Sequence, residues 1–152
     1  MSATATAITL ALPKEYGYVL ATGVASYVLL MGLGISVGGQ RKRAQVPYPY
    51  LYADTAEAKE DKKKYIFNCY QRAHQNTLEF YPIFISSLLI SGLKHPYIAT
   101  GAGVAWILGR IVYARGYQTG DPSKRNRGAF HFLALTTLMG AAASTAYQLI
   151  TL

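Results

Sequence analysis

An all-α membrane protein, a bundle of four spanning helices, is the fold class this sequence predicts, and three observations predict it. Hydrophobic residues make up 51% of the 152-residue chain and charged residues 14%, against roughly a quarter charged in soluble proteins. The apolar residues gather in long runs, while the lysines and arginines fall in the segments between them. The single cysteine, Cys69, excludes an intramolecular disulfide framework. It reads as a small buried thiol, with a redox thiol as the alternative. Residues 1–152 form one domain, without an internal repeat or low-complexity tract. The net charge of +8 could point to nucleic acid. However, no nucleic-acid module is present, and membrane orientation accounts for the placement of the charge.

The first fourteen residues, through Lys14, have no basic region ahead of an apolar stretch, so no cleaved leader is expected. The first span covers about residues 18–37 and holds no charged residue, close to the ~20 residues a crossing helix needs. Gly34 and Gly38 near its end either permit a close helix approach or loosen the helix end. A long basic segment from Gly39 to Tyr65 follows, and within it Asp54 to Lys64 is either a loop or an early extension of the next helix.

The second span, about residues 66–93, is unusual. Its clean apolar part, Phe80 to Leu93, is too short to cross alone, so the helix must include the polar run Arg72-Ala73-His74-Gln75-Asn76-Thr77-Leu78-Glu79. Pro82 inside it frees the carbonyl of Leu78, which membrane helices tolerate when neighbours or water satisfy it. The third span covers about residues 97–117, and the fourth, rich in Leu and Ala, about residues 128–149.

Orientation follows from the basic residues. Arg41, Lys42, Arg43, Lys59, Lys62, Lys63 and Lys64 lie in the first connection, and Lys124, Arg125 and Arg127 in the third. Only Lys14, Lys94 and His95 lie on the opposite side. Positive loops stay cytosolic, which places both basic loops in the cytosol and both termini outside it.

At helical spacing, Arg72, Gln75, Asn76 and Glu79 share one face of the second span. A charge at membrane depth costs roughly 3 kcal/mol on insertion scales, so this face must turn into a bundle or a wet pocket. It serves either a binding site or a structural Arg72–Glu79 network. Arg110, Tyr113 and Tyr117 form a matching face on the third span, although tyrosines at span ends also act as interfacial anchors. Both faces lie near the cytosolic helix ends and can converge. His74, His95 and His131 are scattered, so no metal site is expected. No phosphate loop is present either. Several cations, one carboxylate, an amide and phenols suit a small zwitterion with more than one carboxylate and one ammonium. A cation beside a thiol would also stabilise its thiolate.

Three runs carry a resemblance. They are Arg72 to Glu79 followed by Tyr81-Pro82, then Gly109-Arg110-Ile111-Val112-Tyr113-Ala114-Arg115-Gly116-Tyr117, then Gly120 to Ala129. With Lys14 to Leu20, they resemble the MAPEG superfamily, the membrane-associated proteins of eicosanoid and glutathione metabolism. The resemblance covers nearly the whole chain from about Lys14. It implies a homotrimer of four-helix subunits, with glutathione held between neighbours near the cytosolic side. On it, Arg72, Asn76 and Glu79 match glutathione contacts, with Glu79 the partner of the γ-glutamyl ammonium. Tyr113 and Tyr117 match a pair of tyrosines, Arg41 matches a basic residue that helps hold the tripeptide, and His74 stands where a glutamine occurs in the leukotriene synthase branch. Two departures are present. Phe80 replaces a tyrosine of that branch. Its activating arginine lies seven residues after the second tyrosine, a count that reaches Lys124 here, with Arg125 one further. Arg125 is taken as the activator because a planar fork suits the role; Lys124 and Arg127 remain candidates, and plain cytosolic positive charge is the other reading of the cluster.

The resemblance implies a glutathione transferase with glutathione-dependent peroxidase activity, and conjugation like that of leukotriene C4 synthase is a further option. A lipophilic electrophile or lipid hydroperoxide would reach the site from the surrounding membrane lipids. The alternatives are a non-catalytic lipid-binding or lipid-presenting protein, and a structural subunit with an idle site. The endoplasmic reticulum is the expected membrane, with the outer mitochondrial membrane second.

Overall fold

The computed structural model of the protein describes residues 12–151. Most of the first fourteen residues, on which the expectation of no cleaved leader falls, lie outside that range. The described residues are all-helical. Four long helices, α1 (Tyr16–Ala44), α3 (Lys62–Gly92), α4 (Pro96–Gln118) and α5 (Phe130–Ile150), are joined by a short α2 (Thr55–Glu60) and a 3-10 segment (Pro122–Gly128). α3 and α4 pack on each other and on both outer helices, so they form the middle of the bundle.

Local chemistry sets these boundaries. α1 runs without a charge from Tyr16 to Gln40, then carries Arg41, Lys42 and Arg43 in its last turn, where cations offset the carbonyl end of the helix dipole. Gln45 adopts the left-handed conformation at φ 54°, and the Val46 amide donates back to the Arg41 carbonyl at 3.3 Å, closing the helix. The stretch between Asp54 and Lys64 is helical. Asp54 caps α2 by accepting from the Ala56 amide at 2.7 Å, and Asp61 caps α3 by accepting from the Lys63 amide at 2.7 Å. α3 therefore begins a full turn before the expected span. Gly128, expected to open the fourth span, instead ends the 3-10 segment. Asp121 caps that segment through the Ser123 amide at 3.0 Å, Pro122 occupies its first turn, and α5 starts at Phe130.

The main core joins Val19, Phe84, Leu88, Ala99, Trp106, Ala134, Leu135 and Leu138, with Phe84 and Trp106 stacked at a centroid distance of 3.8 Å. A second cluster, Val37, Ala44, Val46, Ala53 and Phe67, seats the connection after α1. Outside, α1 exposes Leu20, Val24, Val28, Met31 and Ile35. An apolar exterior of this kind suits a lipid solvent. α1, α4 and α5 are each long and apolar enough to cross a membrane. α3 is not among them, because its N-terminal half carries the polar run.

Candidate functional site

The two polar faces meet, and Arg110 is where they join. Its side chain is fully buried at the centre of the bundle. Nε and Nη2 donate to Thr77 Oγ1 at 3.2 and 2.7 Å, Nη2 also donates to Asn76 Oδ1 at 3.0 Å, and Nη1 lies 3.0 Å from His131 Nε2. The Thr77 hydroxyl in turn donates a hydrogen bond to the Ala73 carbonyl at 2.9 Å. The guanidinium stacks 4.2 Å from the centroid of the Tyr113 ring. Among the described residues no carboxylate forms a direct ion pair with it. A buried cation with only neutral direct partners leaves positive potential in the site.

Asn76 relays that charge outward. Its Oδ1 accepts from Arg110, and its Nδ2 donates to Glu79 Oε2 at 3.2 Å. Glu79 Oε1 in turn accepts from Arg72 Nη1 at 2.6 Å. Arg72 and Glu79 keep 39% and 44% of their side-chain surface exposed in the single chain. The network thus opens toward the outer face of α3. Gln75 continues the face by accepting from the Tyr52 hydroxyl at 2.5 Å. Burial raises the Tyr52 phenol above its ordinary pKa, and the neighbouring Arg72 cation pulls it the other way.

The opposite wall comes from α4 and the 3-10 segment. Tyr113 and Tyr117 pair at 5.9 Å, and the Arg125 guanidinium carbon lies 5.7 Å from the centre of the Tyr117 ring. Arg125 Nη1 donates to the Pro122 carbonyl at 2.7 Å, which ties the guanidinium to its own 3-10 segment. Lys124 pairs instead with Asp121 at 3.7 Å, and Arg127 is exposed. Hydrogen bonds from the Ser123 hydroxyl and amide hold the Asp121 carboxyl below the usual carboxylate range.

Glycines allow this wall to come close. A Cβ on Gly116 would strike the Lys124 carbonyl, and one on Gly128 would strike the Gly109 carbonyl and the Tyr113 amide. A Cβ on Gly109 would lie 2.7 Å from that of His131. Of the pair noted in the first span, Gly34 faces the His74 ring at 3.7 Å, and Gly38 faces open space.

Arg72, Glu79 and Asn76 thus connect to Arg110, Arg110 to Tyr113, Tyr113 to Tyr117, and Tyr117 to Arg125. His74 turns toward α1 instead. Arg41 is buried beneath the connection after α1, donating to the Tyr50 and Leu51 carbonyls at 2.7 and 3.4 Å, between the rings of Tyr48 and Phe67. Its contacts organise that connection rather than the polar face. Phe80 meets His131 and Phe132 edge-on, at 6.4 and 5.7 Å. Cys69 is a buried free thiol. The sequence pattern did not single out Tyr52 or His131 for the site. Tyr52 comes from an irregular connection with no periodicity. His131 is the single histidine of a mostly apolar helix, and that was its only signal.

An all-helical chain with three helices fit to cross a membrane, and with a buried polar network joining its two central helices, has the makeup of a membrane protein. The MAPEG family model matches residues 19–146, and the chain belongs to that family. It is 43% identical over 75 residues to microsomal glutathione S-transferase 2 of Homo sapiens, covering 46% of this chain and 50% of the relative. The Bos taurus protein of the same name is 39% identical over 75 residues, with the same coverage. The chain spans about half the length of the curated relatives it matches. The sequence motifs lead to the expectation of microsomal glutathione S-transferase 3, whereas these two relatives are of type 2. The common ground is the family rather than the type.

Proposed function

We propose that this protein is a membrane-bound glutathione transferase with glutathione-dependent peroxidase activity toward lipid hydroperoxides. One observation carries the reading: Glu79 pairs with Arg72 and is linked through Asn76 to the buried Arg110, and Arg125, over the Tyr117 ring, adds a third guanidinium, so one carboxylate answers three cations. The surplus is two positive charges. Glutathione as its thiolate carries two carboxylates, one ammonium and the sulfur anion, a surplus of two negative charges.

In this reading Glu79 takes the γ-glutamyl ammonium, and Arg72 with Asn76 takes a carboxylate. Tyr113 and Tyr117 line the sulfur side, Arg41 helps hold the tripeptide, and His74 offers a further hydrogen bond. Arg125 stabilises the thiolate. Lowering a thiol pKa by two units takes about 2.7 kcal/mol, within reach of one or two charged contacts in a water-poor site. With an electrophile, sulfur bonds to carbon as the leaving group departs with its electron pair. With a hydroperoxide, sulfur attacks the terminal oxygen and the O–O bond breaks. The alkoxide gains a proton, and a second glutathione converts the sulfenic acid to disulfide and water. No covalent enzyme intermediate is required.

The assembly proposed is a homotrimer. The exposed Arg72–Glu79 pair supports it, because charges on the outer face of a membrane helix need cover from a neighbouring copy. α3 then makes the fourth crossing, the basic connections are cytosolic, and the endoplasmic reticulum is the membrane. Protection of Lys62 to Lys64 from protease in sealed vesicles would reverse the orientation.

The test is glutathione-dependent turnover of a lipid hydroperoxide and of a chlorinated aromatic by the purified protein, beside Arg125→Ala. Loss of turnover with glutathione still bound is expected. Bound glutathione without turnover in the wild-type protein would favour a lipid-binding or structural subunit.

A further inference from the structure

His131 is fully buried, and its ring touches both the α4 guanidinium and the end of the 3-10 segment. Nε2 lies 3.0 Å from Arg110 Nη1, and Nδ1 lies 2.7 Å from the Gly128 carbonyl. A guanidinium only donates and a carbonyl only accepts. The ring must therefore carry its proton on Nδ1 and offer a lone pair at Nε2. The Tyr113 ring meets it edge-on at 5.6 Å, and Phe80 closes another side at 6.4 Å. Gly109 admits it: its missing Cβ leaves room for the His131 backbone.

The two bonds lead to different chemistry. Arg110 continues through Asn76 to Glu79 and Arg72. Gly128 ends the 3-10 segment that carries Arg125. We infer that His131 is a positioning residue: Nε2 sets Arg110 and with it the glutathione-binding face, and Nδ1 anchors the segment that carries the thiolate-stabilising Arg125. This rests on the proposed glutathione chemistry. It assigns to one ring the separate adjustment of tripeptide affinity and thiol activation.

Two substitutions separate the nitrogens. In His131→Asn, the side-chain amide nitrogen can take the place of Nδ1, keeping the Gly128 bond and losing the acceptor for Arg110. In His131→Gln, the side-chain oxygen can reach the place of Nε2, keeping Arg110 and releasing Gly128. The measurements are KM for glutathione, kcat, and the ultraviolet absorbance of the enzyme-bound thiolate in the full-length protein. His131→Asn is expected to raise KM about tenfold with kcat near that of wild type, and His131→Gln to lower kcat and thiolate absorbance about tenfold at unchanged KM. Equal losses in both variants, or no change in either, overturn the inference while leaving the glutathione reading intact. A wild-type protein that binds no glutathione overturns both.

A variant that fails to fold does not remove the test. Nitrogen NMR of wild-type protein labelled at histidine reports the tautomer directly. An Nδ1–H ring at His131 whose resonances move on adding glutathione supports the assignment. An Nε2–H ring, or resonances indifferent to glutathione, overturns it.

Discussion

Gly116 is the position where one added methyl group should separate binding from chemistry. In Gly116→Ala the new Cβ would lie 2.7 Å from the Lys124 carbonyl carbon and 3.1 Å from the Arg125 amide nitrogen. Carbon atoms in good contact sit about 3.5–4.0 Å apart, so the 3-10 segment must retreat by about 1 Å. It cannot simply pivot, because Gly128 at its far end is seated against the backbone of Gly109 and Tyr113. Overpacking of this kind costs about 1–3 kcal/mol, which should lower the thermal midpoint. The sharper effect falls on Arg125, which rides on the displaced segment. A misplacement of about 1 Å at a reacting centre costs on the order of a hundredfold in rate. Arg72, Asn76 and Glu79 belong to α3 and should keep their places, so KM for glutathione should change little. Steady-state kinetics with varied glutathione and a chlorinated aromatic read both quantities. Gly38→Ala and Gly140→Ala serve as controls, since a methyl group at either site meets open space. Wild-type turnover in a folded Gly116→Ala protein would refute the reasoning, and so would a loss confined to KM.

Glu79→Gln removes the charge that pairs with Arg72 and, in the proposed complex, with the ammonium of glutathione. Losing a hydrogen bond to a charged group costs about 1.5–3 kcal/mol, so titration calorimetry should show glutathione affinity falling about 10- to 100-fold; unchanged affinity would remove Glu79 from the site. Thr77→Val deletes the hydroxyl that accepts two Arg110 donors. It should destabilise the protein by about 1.5–3 kcal/mol, measured by thermal unfolding in detergent. The depressed Asp121 carboxyl sets a pH dependence. Its capping contribution is complete above the unfolded carboxyl pKa of about 3.9 and is lost as pH falls through the lower folded value. The thermal midpoint should therefore lose this contribution only in strong acid, and Asp121→Ala should remove that part of the acid dependence.

The fold was readable because α1, α4 and α5 are long apolar runs, a signal that survives without knowledge of packing. The polar face of α3 was readable for the opposite reason: charges at spacings of three and four residues inside a membrane segment demand a common destination. Its meeting with the third span runs through Arg110, which the spacing had placed on one face with Tyr113 and Tyr117. Helix boundaries at Lys62 and Phe130 were less legible, since they depend on single capping carboxylates and on a 3-10 turn. The role of Arg41 was hidden as well. The resemblance makes it a residue that helps hold the tripeptide, and nothing local indicates that the chain will fold back and surround it with carbonyls. His131 needed the bundle itself, because its partners lie on α4 and in the preceding 3-10 segment.

The polarity of α3 also bears on how the chain enters its membrane. α1, α4 and α5 can each partition into lipid on their own hydropathy, whereas α3 cannot. An Arg and a Glu near the middle of a helix each oppose insertion by several kcal/mol, and Pro82 has no amide proton to donate within the helix. In the proposed topology α3 is therefore a passenger during biogenesis. It settles at membrane depth only once Arg110 on a later helix has reached Asn76 and a neighbouring copy has covered Arg72 and Glu79. The groups that would hold the substrate then also act as a checkpoint, admitting the helix only into an assembly whose site is complete.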